Sequence, residues 1–350
     1  MIRLSELAQQ LECECEGDGE VAITGIASLG SAGAGDLAFL TDPRRQAEAA
    51  HTRAAALLVG RRFPRVEREP ALALLRAERP EVAVARAVEL LRPAWRPGPG
   101  IDPSARIHPS AEIGPGSYVG AFVAIGEGCR IGADAVLHPH VVIYPDVVAG
   151  ERFTAHAHAV IREGTRIGND VILQPGVVIG GDGFGFARRA DGGYAKIPQV
   201  GRVRLEDRVE IQANSCVDRA SLEETRLGAG VKLDNLVQVA HNCDIEADTI
   251  LCAQVGLAGS TQVGEGAVLA GQAGVAGHCR VGRGTVITAQ SGTHGDLEAG
   301  KMYSGSPAFE HGQWLRSTAA FARLGDMQRE LRELRARVRE LSGESGRKRD

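Results

Sequence analysis

Aromatic side chains are scarce, only 4% of 350 residues. Together with 45 glycines and apolar bulk drawn mostly from Val, Ile, Leu and Ala, that scarcity suits thin stacked coils better than an ordinary sandwich core. No stretch approaches ~18 uninterrupted apolar residues, so no membrane span is expected. The opening MIRLSELAQQLECECEGDGE turns polar too soon for a signal peptide. A charge excess is lacking as well: 40 Lys and Arg stand against 44 Asp and Glu, which gives no sign of a nucleic-acid partner. Only the last few residues, beyond Arg329, are locally basic, and they read as a solvated tail. None of the seven cysteines (Cys13, Cys15, Cys129, Cys216, Cys243, Cys252 and Cys279) forms a CxxC pair. An odd, patternless set fits reduced thiols in a cytosolic protein.

What is present is a period of six. From Ile101 the chain reads IDPSAR, IHPSAE, IGPGSY, VGAFVA, IGEGCR, IGADAV, LHPHVV, IYPDVV, with an aliphatic residue in first place. Two weaker members, AGERFT and AHAHAV, precede IREGTR, IGNDVI and LQPGVV. The frame is expected to resume at Val203 and run to Gly292, through LGAGVK, LDNLVQ, VAHNCD, LAGSTQ and VAGHCR. A helix would show period 3.6 and a sandwich strand period 2. Period six predicts a mainly β fold, a left-handed parallel β-helix of hexapeptide repeats. Each hexad makes one face, and three hexads (about 18 residues) make one coil. The first residue points inward, and the small second residue is expected to permit the turn. Residues 185–202 should bulge out as a loop.

The flanks differ. Residues 1–98 read as a small α/β domain: SELAQQL and PEVAVARAVELL are helical, while AITGIASL and AALLV are strands. Residues 99–305 form the β-helix, and 306–350 form a C-terminal helical extension. There Leu324, Met327, Leu331, Leu334, Val338 and Leu341 are spaced 3, 4, 3, 4, 3, a heptad seam among Arg and Glu. Such a seam either covers its own body or joins a self-associating bundle, and its regularity favours the bundle.

In an 18-residue coil, His241 lies under Gly259, and Gly259 lies under Gly277, which is next to His278. The two histidines should therefore be two coils, about 10 Å, apart with a glycine-bearing coil between them. A histidine can take a proton from an attacking amine, and a glycine N–H can stabilise an oxyanion. Asp234, seven residues earlier, is expected to orient the imidazole. The bland alternative is a solvated surface histidine. A second set, His138, His140, His156 and His158, also repeats at 18; it is either a metal box or a polar ladder. Cys243 and Cys279 align in the same way, either as core thiols or as a nucleophile beside His241.

The runs GGDGFGFA (180–187), KIPQVGRV (196–203), KLDNLVQVAHN (232–242), AQVGLAGST (253–261) and AGQAGVAGH (270–278) resemble the UDP-3-O-(3-hydroxyacyl)glucosamine N-acyltransferases of lipid A biosynthesis, over nearly the whole chain. The resemblance implies a cytoplasmic homotrimeric enzyme of a Gram-negative bacterium, with sites in clefts between subunits. It would move a 3-hydroxyacyl chain from the 4'-phosphopantetheine of acyl carrier protein to the 2-amine of a UDP-linked acylglucosamine, with no cofactor and no metal. It assigns His241 as base, Asp234 as its partner, Gly259 as oxyanion donor and His278 to the phosphopantetheine side. Substrate contacts would come from Phe184, Phe186, Lys196, Gln199, Asn235 and Asn242. Uracil would be held by Phe39, Asp42 and Arg45, the latter two standing where the family usually has Asn and an aromatic. Arg316 and Arg323 are candidate docking points for the acidic carrier protein. Competing readings are an O-acyltransferase or acetyl-CoA-dependent N-acetyltransferase of sugar nucleotides, a zinc enzyme like the γ-type carbonic anhydrases, and a purely structural solenoid.

Overall fold

The structure, a computed structural model, describes residues 1–64 and 71–342; residues 343–350, most of the expected basic tail, lie outside the described residues. The chain divides into two compact units, one ending at Arg96 and the other beginning at Pro97.

In the first unit a five-stranded sheet runs in the order Glu14–Glu16, Ala73–Ala77, Ala56–Gly60, Asp36–Leu40, Gly25–Ile26. Alternation sends Leu37, Leu58 and Leu75 to one face, and Ala38, Leu57 and Leu74 to the other. Helices α1 (Leu4–Gln10) and α2 (Pro80–Leu91) form where the sequence pattern placed them. They bury Leu4, Leu7, Ala83 and Ala87 with the first of these faces.

The second unit is a left-handed parallel β-helix. Two-residue strands stack into three parallel sheets, here called the first face (from Gly100–Ile101), second face (from Arg106–Ile107) and third face (from Glu112–Ile113). Register advances by 18: Val119 pairs with Leu137, Ile125 with Ile143, and Ile113 with Ile131. First and fifth places of the hexad both point inward, as Val119, Val123, Ile125, Cys129 and Ile131 show. The turn, however, belongs to the fourth residue, not the second. Phe122, Asp134, His140, Asp146 and Arg152 take left-handed φ of 56–64°. The small second residue serves close stacking instead: a Cβ on Gly114 would lie 2.4 Å from the backbone nitrogen of Ala133, one coil on.

The weak hexads AGERFT and AHAHAV keep the phase. Ala149 and Ala155 hold the inward places, and Phe153, fully buried between them in sequence, supplies the bulk they lack. The interruption is less simple than a single in-phase loop. Ile167 pairs with Leu205 and Leu205 with Leu227, offsets of 38 and 22 in place of 18. A first insertion therefore adds twenty residues and shifts the frame by two, so Leu205, not Val203, takes the first place. A second insertion adds four and restores the frame at Leu227. Val203 is still buried, because the shift leaves it in a fifth place.

Past the last coil, α3 (His311–Phe321) is capped by the Glu310 carboxylate, which accepts from the N–H groups of Gly312 (3.0 Å) and Gln313 (2.9 Å). Helix α4 (Leu324–Leu341) carries the heptad seam and buries none of it on its own chain. No described helix is long and apolar enough to cross a membrane.

Candidate active site

Both insertions leave the β-helix at the corner between the second and third faces. The first opens after Val178–Gly181 and carries a hairpin (Phe186–Arg188 with Tyr194–Lys196); the second follows Cys216–Asp218. His241 stands at this same corner, after Gln238–Val239, one coil above the second insertion.

The surroundings of His241 fix its tautomer. Its Nδ1 lies 3.1 Å from Oδ1 of Asn242, and that same Oδ1 accepts the backbone N–H of Ser221 at 3.1 Å. An atom that accepts from a backbone N–H is an oxygen, so Nδ1 must carry the proton and donate it. In the neutral ring Nε2 then keeps its lone pair, which is the form a general base requires. Ser221 belongs to the second insertion and also donates its hydroxyl to Oε1 of Gln199 (3.0 Å), at the end of the first. Gln199 is buried, and its Nε2 donates to the Ile197 carbonyl at 3.1 Å.

The ring is gripped by two glycines. A Cβ on Gly259 would lie 2.6 Å from Nε2 and 2.5 Å from Cε1 of His241; a Cβ on Gly183, in the first insertion, would lie 2.7 Å from the His241 Cβ. The Gly259 N–H has no hydrogen-bond partner among the described residues. That follows from its third place in the hexad, outside the ladder, where Pro103, Pro109, Pro139 and Pro145 also sit without an N–H to offer. The coils above and below are tied by Ser260 N–H to the His241 carbonyl (2.9 Å) and His278 N–H to the Gly259 carbonyl (3.0 Å). His278, exposed at φ 62°, thus shares this corner two coils from His241.

Asp234 is not the orienting group. Seven residues are one hexad plus one, enough to carry the chain round to the next corner, and Asp234 sits between the first and second faces. Its carboxylate accepts from the N–H and Nδ2 of Asn235 (2.7 Å each) and from the N–H of Ala253 (3.0 Å). The histidine set shares that corner in lower coils. His138 stacks on His156 (4.6 Å, 8°) and His140 on His158 (5.0 Å, 6°), with Phe122 continuing the second stack. Parallel rings send their nitrogens side by side rather than toward one point. No group of three metal-ligating side chains is gathered among the described residues. Burial lowers the pKa of both His138 and His156.

Of the remaining residues singled out by sequence, Phe184 and Phe186 pack edge to face at 5.0 Å and stay exposed, and Lys196 pairs with Asp182. Cys243 and Cys279 are buried, and burial pushes the Cys243 thiol up to about 11, which suits core packing. Arg316 and Arg323 are exposed. In the first unit Phe39 is half-buried. Asp42 caps the helix that follows and pairs with Arg44 (3.0 Å), while Arg45 pairs with Glu48 (2.7 Å). Two residues at the corner escaped sequence reasoning: Ser221, and Asp218, whose Oδ2 accepts from Nε2 of Gln238 at 3.1 Å. Above this corner the second face carries Gly256, Gly274 and Gly292 in register. They floor a groove of about 620 Å³ lined also by Ala258, Ala276 and Pro307.

Residues 20–90 match the family model described as UDP-3-O-(3-hydroxymyristoyl) glucosamine N-acyltransferase, and residues 104–139 match the bacterial transferase hexapeptide model. A UDP-3-O-acylglucosamine N-acyltransferase of Anaeromyxobacter sp. (strain K) is 46% identical over 348 residues, 98% of each chain. One from Myxococcus xanthus (strain DK1622) is 47% identical over 98% of this chain and 99% of its own. The chain belongs to the UDP-3-O-acylglucosamine N-acyltransferase family. Among solved structures, the UDP-N-acetylglucosamine acyltransferase of Arabidopsis superposes with a TM-score of 0.55 at 24% identity. It covers 71% of this chain and 85% of its own, a likeness of fold.

Proposed function

We propose that the chain transfers a 3-hydroxyacyl group from acyl carrier protein to the 2-amine of UDP-3-O-(3-hydroxyacyl)glucosamine, a cytoplasmic step of lipid A biosynthesis. The observation that carries this reading is the His241 ring, tied at Nδ1 to Asn242 and lying where Gly259 lacks a Cβ, beside a Gly259 N–H with no hydrogen-bond partner among the described residues. Nε2 takes a proton as the amine attacks the thioester carbonyl, and the Gly259 N–H receives the oxyanion. The C–N bond forms, the C–S bond breaks, and the imidazolium returns its proton to the leaving thiolate. His278, on the same corner, lies toward the phosphopantetheine side, and the glycine-floored groove takes the acyl chain. Phe184, Phe186, Lys196, Gln199, Asn235 and Asn242 serve the acceptor, while Phe39, Asp42 and Arg45 serve its uracil. No cofactor enters; acylated carrier protein is the cosubstrate, with Arg316 and Arg323 as docking cations. The working form is a homotrimer whose α4 seams pair.

The test is transfer of a radiolabelled 3-hydroxyacyl group from acyl carrier protein to UDP-3-O-acylglucosamine. His241→Ala should lower kcat by about 10²–10⁴-fold while the protein stays folded. Transfer at the wild-type rate by this variant would remove His241 from the chemistry.

A further inference from the structure

We infer that Asp218 is the carboxylate that supports His241 during transfer, holding the imidazolium formed when the acceptor amine gives up its proton. The inference rests on the reading of His241 as base. Asp218 ends its second-face strand one coil below His241, and a short glycine strap ties the two together. A Cβ on Gly181 would lie 3.7 Å from Oδ1 of Asp218, and two residues on, Gly183 presses against the His241 Cβ. Alanines at 240 and 258 follow Asp218 up the same column. Gln238 holds Oδ2, while Oδ1 has no hydrogen-bond partner among the described residues. The other nearby carboxylates are occupied: Asp182 by Lys196, and Glu163 by Arg162 and Arg219.

Electrostatics agree with this placement. Burial raises the Asp218 pKa to about 6; the Gln238 hydrogen bond and the charge of His241 pull it back, and Asp182 adds to the rise. At neutral pH the carboxylate is ionised. As the amine proton moves to Nε2, Asp218 meets a new cation across a half-buried space, so its attraction grows in the transition state. It stays ionised throughout, and the proton leaves on the thiol. The cations Arg162, Arg219 and Lys196 are each paired with another acid, Glu163 or Asp182.

Asp218→Asn keeps the size of the side chain and an oxygen for Gln238, so it removes charge and little else. It is expected to lower kcat at least about tenfold with KM nearly unchanged. It should also move the acid limb of the kcat/KM profile to lower pH. Asp218→Glu should restore part of both. If Asp218→Asn keeps the wild-type kcat and acid limb while His241→Ala abolishes transfer, Asp218 has no such role and the base assignment stands. If His241→Ala retains transfer, the base assignment itself fails.

Discussion

At the scale of the residue, the proposed base His241 has its Nδ1 held by Asn242, whose oxygen is committed by the Ser221 N–H before it meets the imidazole. Gly259 matters for two reasons at once: its N–H is unclaimed among the described residues, and its missing side chain lets the ring lie against the backbone. Gly259→Ala should therefore lose about 10²–10³-fold in kcat with the fold retained, since the methyl would displace Nε2 and hood the oxyanion site. Steady-state transfer assays with circular dichroism check this; activity within a few-fold of wild type would place the oxyanion elsewhere. The column of His241, Gly259 and Gly277 was legible by counting in eighteens, because both insertions end before Leu227 and the frame is whole beyond it. The contacts that tune His241 were not. They come from Ser221 and Gly183 in the two insertions, where no period exists to count. Asp234 misled because closeness in sequence is not closeness in space when every sixth residue turns a corner.

At the scale of the element, hexads are legible to the residue, even where alanines replace the aliphatics. Their compensation by Phe153 comes from the fifth place, which the period alone does not single out. The loop at 185–202 was visible as an interruption. The shift by two and its repair by four were hidden, since their total of 24 preserves the apparent phase. The histidine stacks carry a pH consequence. Burial holds His138 and His156 below their ordinary pKa, so the fold favours neutral rings. Their contribution is complete above the unfolded value of about 6.5 and is lost as pH falls through it. The urea midpoint should drop between about pH 7.5 and 5.5, and His138→Phe with His156→Phe should flatten that drop. An equally steep decline in the double variant would assign the acid sensitivity to other groups.

At the scale of the whole molecule, α4 is the element that makes least sense alone. All six seam residues, Leu324 to Leu341, are at least 47% exposed. In water most helical stability comes from packing of an apolar face, and the proposed homotrimer would bury this seam between copies. Leu331→Glu with Leu334→Glu should reduce the helical circular-dichroism signal and weaken association in sedimentation, leaving the β-helix intact. Unchanged sedimentation and helicity would show that the seam works facing solvent.

The two insertions also bear on how the chain finds its shape. A coil that closes on its neighbour over 18 residues gathers only local partners, so folding can spread along the axis from wherever it starts. The coil reached through the first insertion must close over 38 instead. Loop-closure entropy grows only with the logarithm of length, and roughly doubling the span costs about 0.6 kcal/mol. A stack of nearest-neighbour coils can therefore accept the walls of a reaction chamber for less than the worth of one hydrogen bond. Growth along the axis would slow most at Leu205 and again, by less, at Leu227, before running on to the last coil.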